Sequence, residues 1–165
     1  MKNRLYLGLV ACIMWMFPFV GSSQDCIDYH KNNCKPPQSM SAYAYDPASR
    51  SGLLMKGQSS EFRFSLYQGR DYRITLCNQE ALGKNVQYQI IDWENNVVLY
   101  DNKEFNYESS FEFSVLITRE IKVLVTVPAD DKTQKTTSIG LKPKPTQMGC
   151  VGVLVESMIT PKKGF

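Results

Sequence analysis

One imidazole, His30, and four cysteines beyond the first two dozen residues, Cys26, Cys34, Cys77 and Cys150, are the side chains of this 165-residue chain best suited to nucleophilic or metal chemistry. Nucleophilic hydrolysis needs a Ser or Cys activated by an oriented base, and His30 is the sole imidazole. It sits in a polar N-terminal stretch, and no G-x-S-x-G elbow accompanies it. A zinc site would need closely spaced thiolates, yet the cysteines lie eight, 43 and 73 residues apart with no CxxC pair. The reading is therefore no metal site and no cofactor, with the cysteines oxidised in pairs.

Carboxylates are the other route to catalysis. Glycoside hydrolysis asks only for two of them in a groove, about 5 to 10 Å apart. Asp92, Glu94, Asp101 and Glu104 fall at strand ends, but no two acids occupy i and i+2 on the inner face of a strand. Turn chemistry accounts for them, and for the weak calcium signal in "IIDWENN" and "LYDN". Four aromatics in or beside turns, Trp93, Tyr100, Phe105 and Tyr107, are the stronger binding candidates, with Asp92 and Asp101 beside them. Flat rings stack on sugars or apolar protein surfaces at little entropic cost, although capping the open end of a sandwich is the competing use.

The chain that must position these groups opens with Lys2 and Arg4, an apolar run from Leu5 to Val20, then Gly21, Ser22 and Ser23. This is the layout of a secretory signal peptide, and the run is shorter than the roughly 20 residues that span a bilayer. Residues 1–23 are read as a cleaved leader, so the mature chain has no transmembrane segment and is exported, to the periplasm or the cell surface. "LVAC" offers a lipoprotein-type cut before Cys12, but that cut leaves a short apolar region and strands "IMWMFPFV" on the product. Losing Lys2 and Arg4 lowers the formal net charge from +3 to +1, which removes any electrostatic case for nucleic acid. An even cysteine count in an exported chain implies two disulfides.

Residues 24–42, with "DCIDYHKNNCKPPQ", read as a strap holding a short helix that ends near Asn32 and Asn33, ahead of Pro36 and Pro37. Beyond it the period is two. "SEFRFSLY" sets Phe62, Phe64 and Leu66 on one face, and "DYRITLC" sets Tyr72, Ile74 and Leu76 opposite Arg73, Thr75 and Cys77. "NVQYQIID", "VVLYD", "SFEFSV", "EIKVLVTVP" and "CVGVLVE" follow, and "SAYAY" makes about eight strands. Such alternation, without a long amphipathic helix, predicts two packed antiparallel sheets over residues 43–158. The lysine-rich stretch 129–149 reads as a solvated loop, and 159–165 as a surface tail.

From Glu61 to Pro128 the phrases "SSEFRFSLYQGRDYRITL", "VQYQIID", "VVLYDN" and "FEFSVLITREIKVLVTV" resemble the jelly-roll pre-peptidase C-terminal domains appended to secreted bacterial peptidases. Through "SRSGL", "DYRI", "LYDN" and "CVGVLVESMITPKKGF" the whole chain also resembles a group of uncharacterised exported proteins of Gram-negative bacteria. The first likeness implies a jelly-roll sandwich and an accessory, non-catalytic role. The function expected is thus an exported binding or structural module whose partner is a cell-surface glycan or a protein. The alternative is a secreted carboxylate hydrolase acting on glycans.

In a jelly roll numbered from "SAYAY", the third strand, "DYRITLC", and the eighth, "CVGVLVE", are antiparallel neighbours. Cys77 and Cys150 would then emerge on the same outer face and pair with each other. Cys26 and Cys34, about 12 Å apart on a continuous helix, would pair once the chain turns back near Asn32 and Asn33.

Overall fold

The computed structural model describes residues 26–34, 42–129 and 148–161. The leader, Cys12, Pro36 and Pro37, residues 130–147 of the lysine-rich stretch and the last four residues lie outside the described residues.

Among the described residues a short helix, α1 (Tyr29–Asn33), precedes nine strands: β1 (Ala44–Tyr45), β2 (Arg50–Met55), β3 (Ser59–Leu66), β4 (Arg70–Asn78), β5 (Gln87–Asp92), β6 (Val98–Asp101), β7 (Ser110–Val115), β8 (Arg119–Thr126) and β9 (Met148–Ile159). They form two antiparallel sheets. One has the order β1-β9-β4-β7, with β2 also on β9, and the other has the order β3-β8-β5-β6. β1 and β2 follow one another along the same edge of β9, opposite Glu156–Ser157 and Met148–Val153. From β2 onward, consecutive strands cross from sheet to sheet except at the β5–β6 hairpin, which is jelly-roll order.

Alternation decides which side chains meet between the sheets. Tyr72, Ile74 and Leu76 of β4, and Val151, Val153 and Val155 of β9, pack against Ile121, Val123 and Val125 of β8 and Tyr88 and Ile90 of β5. Phe62 and Phe64 of β3 are only partly buried against this core, because β3 is an edge strand.

Two expectations need correction. β2 was not among the strands expected, since "RSGLLM" does not alternate. Its pairing with β9 is continuous over six residues, and it occupies the place in the jelly roll that the sequence reading gave to β1.

The second correction concerns the disulfides. β4 and β9 are antiparallel neighbours as expected, but Cys77 lies opposite Gly152, two residues past Cys150. Diagonal positions of this kind stand about 7 to 8 Å apart, beyond the reach of a disulfide. The strap supplies the partners instead. Cys26 bonds Cys150 with Cα atoms 5.4 Å apart, and Cys34 bonds Cys77 at 5.1 Å. The strand neighbours inferred from jelly-roll order stand, whereas both inferred cysteine pairs are replaced.

The outward position of Cys77 therefore belongs to a covered face. α1 lies across β9, β2 and β4. Its approach is so close that a Cβ at Gly152 would sit 2.9 Å from His30 Cα and 3.0 Å from Cys77 Sγ, which is why glycine stands there. Further along the same face, Arg73 is only 3% exposed. It donates to Glu156 at 2.8 Å and Glu112 at 3.4 Å, beneath the ring of Tyr43 at 4.4 Å.

Candidate functional site

The residues singled out in the sequence do not converge on one site. Asp92, at the end of β5, is buried. Its Oδ1 accepts the N–H groups of Glu94 (3.0 Å) and Asn95 (3.3 Å), and its Oδ2 accepts from Arg119 at 3.2 Å. It holds the β5–β6 turn closed, the ordinary use of an Asp in that position.

Asp101, at the end of β6, accepts from Gln87 Nε2 at 3.0 and 2.8 Å, from Gln89 Nε2 at 2.8 Å and from the Lys103 N–H at 2.9 Å. Partial burial raises its pKa, but these donors and the Lys103 charge outweigh that and hold it below the ordinary carboxylate value. An acid kept ionised in this way is a poor proton donor. Neither carboxylate is free to act as the acid of a glycosidase pair.

Trp93 lies half-exposed on the outer face of the four-stranded sheet. The Arg63 guanidinium stands 4.0 Å from its ring centroid and Lys122 Nζ 5.8 Å away. Lys122 also pairs with Glu61 at 3.6 Å. One face of the indole is thus already taken by a cation.

The remaining aromatics gather at the opposite edge, where β6 and β7 leave the sandwich open. Tyr100 is a core residue, 6% exposed, and stacks on Phe111 at 3.9 Å and on Phe105 at 5.3 Å. The stack continues from Phe111 to Phe113 at 5.4 Å and then to Tyr72 at 6.0 Å, running from surface to core. Burial pushes the phenols of Tyr88 and Tyr100 upward, and both hydroxyls are buried without a well-formed hydrogen bond.

Phe105 is exposed on a 3-10 turn, Asn102–Phe105, while Tyr107 is half-buried just beyond it. The turn is pinned by Asn102, wholly buried, whose side chain accepts the Tyr88 N–H at 2.9 Å and donates to Val86 O at 3.2 Å and Glu108 O at 3.4 Å. Capping, the competing use of these rings, thus describes Tyr100, whereas Phe105 projects from the cap.

On the side of β6 and the β7–β8 turn, the surface beside this aromatic stack is apolar. Val97, Val98 and Leu99 lead into and along β6, and Leu116 and Ile117 occupy the β7–β8 turn, where they are 79% and 64% exposed. Two adjoining hollows, of about 250 and 180 Å³, open between the sheets here and share Leu66, Leu99 and Phe113 in their walls. Leu116 and Ile117 border the first, and Ile90, Tyr100 and Phe111 line the second. A smaller-rimmed cleft of about 220 Å³ lies across the molecule between β2 and β3, walled by Leu54, Phe62 and Val153. Leu53 and Met55 are the apolar side chains exposed on β2 beside it, and both are less exposed than Leu116 and Ile117.

The sequence reading missed Leu116, Ile117 and Val97–Leu99. The signal was present, because "LIT" and "VVL" break the apolar-polar alternation with consecutive apolar residues at strand ends.

It also missed the setting of His30. The Ser51 Oγ lies 2.6 Å from His30 Nδ1 and accepts the His30 backbone N–H at 2.8 Å, while Nε2 lies 3.2 Å from the Tyr45 hydroxyl. Both ring nitrogens are engaged and the residue is 4% exposed. Burial, Lys31 and Arg50 lower its pKa against the opposing pull of Asp28. This Ser-His pair fastens the strap to β1 and β2 and offers no accessible nucleophile. Among the described residues no three His, Cys, Asp or Glu side chains converge as a metal site would require. No helix among them is long and apolar enough to cross a membrane.

No protein-family model matches the chain, and no curated protein matches its sequence. Among solved structures, the chain is similar to Aeromonas hydrophila PliG, a periplasmic lysozyme inhibitor of g-type lysozyme. The likeness has a TM-score of 0.45 and 6% identity, over 67% of this chain and 85% of that one.

Proposed function

We propose that the protein is an exported, non-catalytic binding module that engages a protein partner through the apolar β6/β7 edge. Residues 1–23 act as a cleaved leader, and the two disulfides fit an oxidising compartment. The observation that carries the reading is the run of exposed apolar side chains at Val97–Leu99, Phe105, Leu116 and Ile117 beside hollows in the same edge. Exposed apolar groups gathered beside a hollow mark interaction sites, because leaving them in water is costly unless something covers them. The resemblance to accessory domains of secreted peptidases points the same way. The structural duties of Asp92 and Asp101 weigh against the glycan hydrolase.

Presenting the oxidised protein to a panel of envelope proteins, secreted proteins and glycans tests the proposal. The expected result is saturable protein binding without turnover, weakened at least tenfold by Leu116→Asp with Ile117→Asp and unaffected by Leu53→Asp on the opposite edge strand. Turnover of a glycan, abolished by Asp92→Asn or Asp101→Asn, would overturn it.

A further inference from the structure

Among the described residues β7 pairs with β4 alone, so one of its edges is open there. Which backbone groups face that edge follows from the register. Leu76 N–H donates to Ser109 O at 2.7 Å, and the same register runs on to Arg70 opposite Val115. Residues of the same parity, Phe111, Phe113 and Val115, therefore bond to β4, and the N–H and C=O groups of Ser110, Glu112 and Ser114 point away. Phe111, Phe113 and Val115 turn their side chains inward, and the two phenylalanines form a wall of the hollows described above.

Edge strands are normally guarded by lysine, proline or a bulge. "SFEFSV" has none of the three, and its pairing with β4 is regular. Among the described residues the other sheet has two edge strands, β3 and β6, and β3 differs from β7. There Glu61 is paired with Lys122 and Arg63 is laid over Trp93.

Charge narrows the partner further. On the outer face beside β7, the single guanidinium of Arg73 serves both Glu156 and Glu112, and the Glu112 side chain remains 47% exposed. Glu108, also exposed, leads into the strand. On this outer face Glu108, Glu112 and Glu156 stand against the one guanidinium of Arg73, and a cation directly across from Glu112, whose Oε2 also accepts from the Tyr43 hydroxyl at 3.4 Å, would complete the row.

Resting on the protein-binding reading above, we infer that the partner binds by adding a strand to β7. It is an extended segment with apolar side chains at alternate positions, which fill the hollows, and a lysine or arginine facing Glu112.

Selection from a library of random 12-residue peptides on the oxidised protein, followed by synthesis of the enriched sequence, tests this. Enriched peptides should alternate apolar residues with at least one Lys or Arg. Bound, the peptide should slow hydrogen exchange at the amides of residues 110, 112 and 114. Binding should fall at least tenfold in Ser114→Pro, which deletes an outward N–H at an edge position where proline is tolerated, and in Leu99→Asp. Methylating alternate backbone nitrogens of the peptide gives the same test from the ligand side, abolishing binding in one register and sparing it in the other. Peptides that depend on Leu99 but ignore Ser114→Pro and either methylation pattern would overturn strand addition and leave the protein-binding reading standing. Failure to obtain any peptide dependent on Leu99 would overturn both.

Discussion

The outer face of the five-stranded sheet and the β6/β7 edge are built from the same kind of alternating strand, and they end in opposite states. On the first, a strap is bonded to β9 and β4 through Cys150 and Cys77, seated on Gly152 and locked by His30. On the second, Leu116 and Ile117 stand in solvent beside hollows of about 250 and 180 Å³. Where covalent bonds already hold the fold together, an exposed apolar edge can be kept without serving stability. The fixed side maintains the sandwich, and the open side carries the surface on which the binding proposal rests.

The largest effect that breaks the comparison comes from the disulfides. On the chain-entropy model a bridge such as Cys34–Cys77, with a separation of 43 residues, contributes on the order of 4 kcal/mol. Cys26–Cys150, with a separation of 124, should contribute somewhat more. Urea unfolding of the two Cys-to-Ser pair variants should reproduce that order. Non-reducing peptide mapping should recover Cys26 with Cys150 and Cys34 with Cys77.

Gly152→Ala comes next. A Cβ there meets backbone of the strap rather than a flexible side-chain end, so a loss of about 1 to 3 kcal/mol is expected. The same substitution at Gly52, where a Cβ meets nothing within 4 Å, should be far milder and serves as the control.

How much of this contrast the sequence could carry depends on the kind of contact. The inward rows of β4 and β9 were legible because burial imposes a period of two on Tyr72, Ile74 and Leu76 and on Val151, Val153 and Val155. The β4–β9 pairing followed from jelly-roll order. The disulfide partners did not, because a two-residue offset in register decides them, and neither the alternation nor the strand order fixes register to that precision. In the sequence His30 shows only as a polar strap residue, since its partners Ser51 and Tyr45 come from β2, which shows no alternation, and from the two-residue β1. Of the turn aromatics, Phe105 is placed where a binding reading needs it. Tyr100 was absorbed by the core, and Trp93 belongs to a different face.

Acid should act on the strap before it acts on the open side. The folded His30 ring resists protonation, so the unfolded chain takes up more protons as pH falls below 6.5, and stability declines there. Above that pH the His30 contribution is fully present. Asp101, whose folded pKa is depressed, adds a second loss in a more acid window, below its ordinary value of 3.8. Urea midpoints between pH 7 and 5 should therefore fall less steeply in His30→Gln than in the parent, while Asp101→Asn leaves that interval unchanged.

The smallest effect is expected at the open edge itself. Leu116→Ser and Ile117→Ser alter exposed side chains and should change stability by no more than about 0.5 kcal/mol. A loss comparable to that of Gly152→Ala would mean that these residues are packed and unavailable to a partner.

Residue-resolved amide exchange of the free, oxidised protein tests the contrast most directly. β4 and β9 beneath the strap should exchange slowest, and in β7 the amides of Phe111 and Phe113 should be protected while those of Ser110, Glu112 and Ser114 exchange rapidly. Uniform protection from 110 to 114, or a strap side that opens as readily as β7, would contradict the account.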